Sequence, residues 1–125
     1  MGKQEVRSSR VPRGFEPFSA AVSTGQLVFV SAQPSSAQGA PPGASAAEEA
    51  RRSLDNLRHQ LRSVGLSLDT VVSLTVYAVD SRDAAAVDEV AAEYFAPPRP
   101  ARTVVGVAWL PEGARLQIEA VASRY

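Results

Sequence analysis

A chain of 125 residues with 13 basic and 13 acidic side chains, and so no net charge, is the size of one hydrophobic core that hides about two-thirds of the unfolded surface. Zero net charge argues against a nucleic-acid groove or an anionic-lipid face, both of which need a local excess of positive charge. The absence of cysteine excludes disulfides, thiolate metal sites and a cysteine nucleophile, and a single histidine, His59, argues against a histidine zinc site, so no metal is expected.

No apolar run approaches membrane-spanning length and the N-terminus shows no signal core, so the expected location is cytoplasmic. Residues 1–14 mix charge, Ser, Pro and Gly without period and read as a loose arm, with Arg7, Arg10 and Arg13 in solvent; residues 15–125 read as one domain. A short strand is expected at 18–22, a tight turn at Thr24-Gly25-Gln26, and a strand at 27–31 too apolar to be half exposed. Residues 33–45, rich in Pro, Ser, Gly and Ala, form an irregular loop.

Ser45 and Glu48 have capping-box spacing. The helix they open carries Ala47, Ala50, Leu54, Leu57, Leu61 and Val64 as one apolar stripe, and Gly65 stops it. A strand covered on both faces follows at 71–79. A second helix is expected over 83–95, capped by Ser81 and ended by Pro97 and Pro98, with Val87, Val90, Ala91, Tyr94 and Phe95 on its core side. The remaining segment reads as two strands joined by a turn at Pro111-Glu112-Gly113. The order β-β-α-β-α-β-β predicts an α+β fold, a mixed sheet with two helices on one face. The other face lacks clean polar alternation and needs cover, which copies of the same chain can supply; a homo-oligomer is expected.

The last two strands hold the most informative residues. A hairpin turning at 111–114 sets Gly106 opposite Glu119 and places Arg102, Val104, Gly106 and Ala108 on one face with Gln117, Glu119 and Val121. Arg102 and Glu119 then project together from the face that another subunit covers. From the residues alone the readings stay open: a strand-start arginine can be merely solvated, and a mid-strand glutamate can belong to a structural ion pair.

The stretch Pro100-Ala101-Arg102-Thr103-Val104-Val105-Gly106-Val107-Ala108-Trp109-Leu110-Pro111, followed by Ile118-Glu119-Ala120-Val121-Ala122, resembles the Rid (reactive intermediate deaminase) family, also called YjgF or L-PSP proteins. Leu27-Val28-Phe29-Val30-Ser31-Ala32-Gln33, Ser53-Leu54-Asp55-Asn56-Leu57 and Thr75-Val76-Tyr77 are similar to family positions too. The resemblance implies a chorismate-mutase-like fold, a homotrimer with clefts between subunits, and hydrolysis of 2-aminoacrylate-type enamines and imines to 2-oxo acids and ammonia, without metal or cofactor. It implies that Arg102 binds the substrate carboxylate through its guanidinium fork. It also implies that Glu119 orients or deprotonates the attacking water and returns a proton to the leaving amine.

Several positions depart from the family pattern. Phe18 stands where tyrosine is usual, Ala32 replaces a glycine, Val104 a frequent cysteine, and Asp88 an asparagine. With Ser31, these residues are the expected pocket wall. The departures keep the arginine and the acid while altering their surroundings, which points to another imine than the usual one. A non-catalytic binder of small carboxylates is the alternative, and an RNA-directed activity a third reading that zero net charge disfavours.

Overall fold

The computed structural model describes residues 2–11, 14–33 and 45–124. Its strands are β1 (Lys3–Val6), β2 (Ala21–Thr24), β3 (Leu27–Gln33), β4 (Val71–Ala78), β5 (Ala101–Gly106) and β6 (Leu116–Ser123), with helices α1 (Ala46–Arg62) and α2 (Asp83–Tyr94) between β3 and β4 and between β4 and β5. The strands form a single mixed sheet in the order β1-β2-β3-β6-β4-β5, and the expected α+β class holds.

The amphipathic stripe of α1 supplies the core. Ala50, Leu54, Leu57 and Leu61 are fully buried against Val28 and Val30 of β3, Leu74 and Val76 of β4, and Leu116, Ile118 and Ala120 of β6. The helix starts where the sequence indicates: the Glu48 amide donates to Ser45 Oγ at 3.1 Å. It ends in a Schellman arrangement. Gly65, at a φ of 76°, donates to the Arg62 carbonyl, and the Leu66 amide reaches back to Leu61. Glu49, almost wholly buried in α1, accepts from the Arg115 amide at 2.8 Å and so pins the helix to the start of β6.

The expected closing hairpin does not form. The turn chemistry is present, with a 3₁₀ turn at Pro111–Gly113, but β4 lies between β5 and β6. It pairs parallel with β5, Leu74 opposite Arg102, and antiparallel with β6, Thr75 opposite Glu119. Parallel strands need a crossover, and α2 supplies it, so β4-α2-β5 forms a βαβ unit that displaces β5 to the far side of β4.

Other expectations change as well. The segment read as a loose arm contains an edge strand: β1 pairs antiparallel with β2, Val11 is buried, and the Ser8 amide donates to the buried Gln60 side chain at 2.9 Å. Ser81 does not cap α2. Arg82 is the cap residue, and the Asp80 carboxylate takes its amide at 2.9 Å. Strands β3 and β4, expected to be covered on both faces, alternate in burial within the protomer, leaving Leu27 and Phe29 exposed. The expected loop at 33–45 lies, apart from its ends, outside the described residues.

Since Leu57 is fully buried in the core, Leu57→Ala should destabilise the fold by about 2–5 kcal/mol, read as a lowered urea midpoint with an unchanged slope.

Candidate active site

Alternation along β6 buries Leu116, Ile118 and Ala120 beneath the helices and turns Gln117, Glu119 and Val121 to the opposite, open face of the sheet. Across the strand pair, Thr75 stands opposite Glu119, and Tyr77 donates its hydroxyl to Glu119 Oε1. That hydrogen bond, with smaller contributions from burial and the glutamate charge, raises the Tyr77 phenol above its ordinary value. A cavity of about 310 Å³ opens on this face, lined by Val22, Phe29, Ser31, Ser73, Thr75 and Glu119. Ser31 donates its hydroxyl to the Ser19 carbonyl at 2.8 Å, leaving the oxygen free to accept.

Arg102 lies elsewhere. Paired residues of neighbouring strands share a face, and Arg102 and Val104 pair with the buried Leu74 and Val76, so both point to the helix side. Val104 packs partly buried against the core. Arg102 reaches α2, where its Nε donates to Asp88 Oδ1 at 3.0 Å and its Nη2 donates to Oδ2, a side-on bidentate pair that is still open to water. Beside it is an apolar hollow of about 220 Å³ lined by Leu74, Ala91, Phe95, Arg99 and Pro100.

The expectation that Arg102 and Glu119 share a face is therefore overturned. It assumed that β5 folds back on β6. Inserting β4 between them makes Arg102 register with Leu74 instead of a β6 residue, and this sends it to the other surface. The pair cannot form a site within one protomer.

The structure thus makes two groups: Glu119 with Ser31, and Arg102 with Asp88 and Val104. Phe18, in the bend before β2, is 79% exposed and belongs to neither group within the protomer. Ala32 is partly buried in β3. Sequence reasoning assigned no role to Tyr77, Thr75 or Arg99. Tyr77 is far from Glu119 in the chain, and only the β4–β6 register brings them together. Among the described residues no cluster of three His, Cys, Asp or Glu side chains could hold a metal ion, and no helix is long and apolar enough to cross a membrane.

The family model described as Endoribonuclease L-PSP matches residues 9–124. A mouse 2-iminobutanoate/2-iminopropanoate deaminase is 36% identical over 124 residues, 96% of this chain and 90% of the mouse protein. Among solved structures, RidA from an Antarctic Psychrobacter superposes with a TM-score of 0.91 at 28% identity, over 96% of this chain and 98% of that one. TdcF of Escherichia coli, solved with bound serine, superposes with a TM-score of 0.89 at 32% identity, over 98% of this chain and 99% of that one.

The Tyr77–Glu119 contact has a spectroscopic consequence. With the folded phenol raised above its ordinary 10.0, the contact contributes stability that is complete below pH 10 and is lost as pH climbs through the raised value. In an ultraviolet tyrosinate titration, Tyr77→Phe should remove a late-ionising phenol, and Glu119→Gln should bring that phenol back towards its ordinary range.

Proposed function

The chain belongs to the Rid family, the family of the Endoribonuclease L-PSP model, and from that premise we propose that it hydrolyses 2-imino acids and their enamine tautomers to 2-oxo acids and ammonia. The reading is carried by the family match and by the mouse relative named as a deaminase of 2-iminobutanoate and 2-iminopropanoate. It requires the two charged groups, which the protomer holds on opposite faces, to meet across a subunit boundary. Glu119 sits in a cavity on the uncovered face of the sheet, while Arg102 stands on the outer strand and turns to the other side.

Such halves complete each other when protomers pack, the edge of one against the open face of the next. That face invites it. Phe29 is 46% and Leu27 39% exposed, and Val105 is exposed at the strand edge, a cost in apolar area that a lone protomer would carry. The proposal is therefore a homotrimer with a cleft at each subunit boundary, where Arg102 of one protomer meets Glu119 of its neighbour. Ser31 lines the Glu119 half. Phe18 stands free at the surface to extend the wall, and Ala32, Val104 and Asp88 flank the two halves.

The chemistry follows from these groups. The substrate carries a carboxylate next to a C=N carbon. The Arg102 guanidinium can hold that carboxylate in plane by two parallel hydrogen bonds. Water adds to the carbon of the protonated imine as Glu119 takes one of its protons, and the C=N electron pair becomes the lone pair of an NH2 group. The tetrahedral carbinolamine then collapses: Glu119 returns its proton to the nitrogen, and the C–N bond breaks with its electron pair leaving on ammonia. The hydroxyl proton passes to the freed Glu119 carboxylate and on to solvent as the oxygen becomes the 2-oxo group. Tyr77 donates to one oxygen of Glu119, which leaves the other to face water. A protonated imine is already activated towards water, so the proposal includes no metal or cofactor. A cytoplasmic location belongs to it too. The mouse relative's name as a deaminase of 2-iminobutanoate and 2-iminopropanoate supports the substrate class. Serine bound to TdcF supports a small amino-acid carboxylate as the kind of ligand this fold accepts.

The test is to generate 2-aminoacrylate in situ with a dehydratase and follow the appearance of 2-oxo acid. The wild-type chain should accelerate it, and Glu119→Gln should cut the acceleration by about 10²–10⁴-fold, the usual scale of general acid–base help. Arg102→Ala should lose it through a raised KM. An unaccelerated reaction with wild type, accompanied by carboxylate binding, would favour the non-catalytic binder instead. Sedimentation should give three protomers per particle, and complementation between inactive Arg102→Ala and Glu119→Gln chains in mixed trimers should restore part of the activity.

A further inference from the structure

The Arg102 fork that the mechanism needs is already engaged. Asp88 takes the Nε and Nη2 edge of the guanidinium with both carboxylate oxygens, one of the bidentate geometries open to any carboxylate. The two residues come from different elements, 14 positions apart in the chain, and α2 and β5 hold them at this spacing. Neither is sealed: the side chains are 42% and 46% exposed, so an incoming anion can reach the guanidinium. We propose that Asp88 is an internal competitor for the substrate carboxylate and thereby a specificity-determining residue, which weakens the binding of free 2-imino acids relative to imines whose carboxylate is masked or absent.

The physical argument is one of charge and of edges. A guanidinium offers five N–H donors, and the side-on pair with Asp88 uses two of them along one edge. A second carboxylate must either displace Asp88, leaving that carboxylate without its partner, or take the remaining end-on edge with two anions crowded on one cation. Either route weakens anion binding, whereas an uncharged acceptor such as an amide escapes the repulsion. The hollow next to the fork, walled by Leu74, Ala91 and Phe95 with Arg99 also lining it, gives room for an apolar substituent beside the guanidinium. This inference rests on the proposed role of Arg102 as the carboxylate clamp.

The test separates the two. Asp88→Asn keeps the shape of the side chain and removes its charge, and Asp88→Ala removes the acceptor altogether; both lie on an exposed helix position, and circular dichroism checks the fold. Binding of 2-oxobutanoate and of its neutral amide, 2-oxobutanamide, is measured by calorimetry on wild type and on both variants, alongside KM and kcat in the imine assay. Both substitutions should tighten 2-oxobutanoate by about two- to fivefold, the scale expected for relieving a partly exposed like-charge contact. The amide affinity should stay unchanged, and KM should fall while kcat holds. Unchanged or weaker 2-oxobutanoate binding in the variants would overturn the inference and make Asp88 a positioning residue that steadies Arg102. So would equal tightening of acid and amide. If the wild type fails to hydrolyse imines while Asp88→Asn still tightens 2-oxobutanoate alone, the hydrolase reading falls and the competition stands. If Arg102→Ala leaves 2-oxobutanoate binding untouched, the clamp itself is elsewhere and both fall.

Discussion

The position of β6 at the middle of the sheet, hydrogen-bonded to β3 on one side and to β4 on the other, is the constraint from which the rest of the protomer follows. A strand with neighbours on both sides has one face that α1 can cover and one that it cannot. Leu116, Ile118 and Ala120 fill the first, and Glu119 is left in the second. With β4 committed to β6 along one edge, its other edge is the place left for β5. The α2 crossover brings β5 there in parallel, with Arg102 turned to the helix side, where it reaches Asp88 of α2.

The two charged groups are satisfied in different ways, and the difference matters for chemistry. Glu119 receives a hydrogen bond from a neutral phenol. That contact orients the carboxylate without cancelling its charge, and it leaves an oxygen for a water molecule. Arg102 instead meets a full negative charge on Asp88. One group is steadied and still available; the other is steadied and partly occupied. This asymmetry between the two charged groups is already present within one protomer.

An apolar open face and an outer strand bearing the arginine are also two sides of one problem. The helices are spent on the first surface, and among the described residues no third layer covers the second. Within the protomer Phe29, which lines the glutamate cavity, and Leu27 on the same strand remain exposed, and the proposed trimer would cover both with a neighbouring copy. In the proposed trimer the ammonia-releasing step would gain from such cover, because a site closed by a second subunit would limit bulk water around the charge that develops on the carbinolamine.

Local signals were legible in the residues themselves. The Ser45 cap, the three- and four-residue spacing of Ala50, Leu54, Leu57 and Leu61, and the left-handed Gly65 are short-range features, and a helix is decided within a few residues of chain. The positions of β3, β4 and β6 were legible for the same reason, as was the separation of Leu116, Ile118 and Ala120 from Gln117, Glu119 and Val121, which needs only period-two alternation. The edge strand β1, read as a loose arm, and the start of β2, expected three residues earlier, were not. The family likeness also follows from short motifs. Strand order was not legible, because pairing is a choice among distant partners whose local signals are alike: a turn at Pro111–Gly113 is compatible with a hairpin and with a crossing over β4. Tertiary structure alone decided which strand β5 pairs with. It thereby decided which surface Arg102 occupies, that Asp88 and not Glu119 is its partner within the protomer, and that Tyr77 reaches the glutamate from 42 residues away.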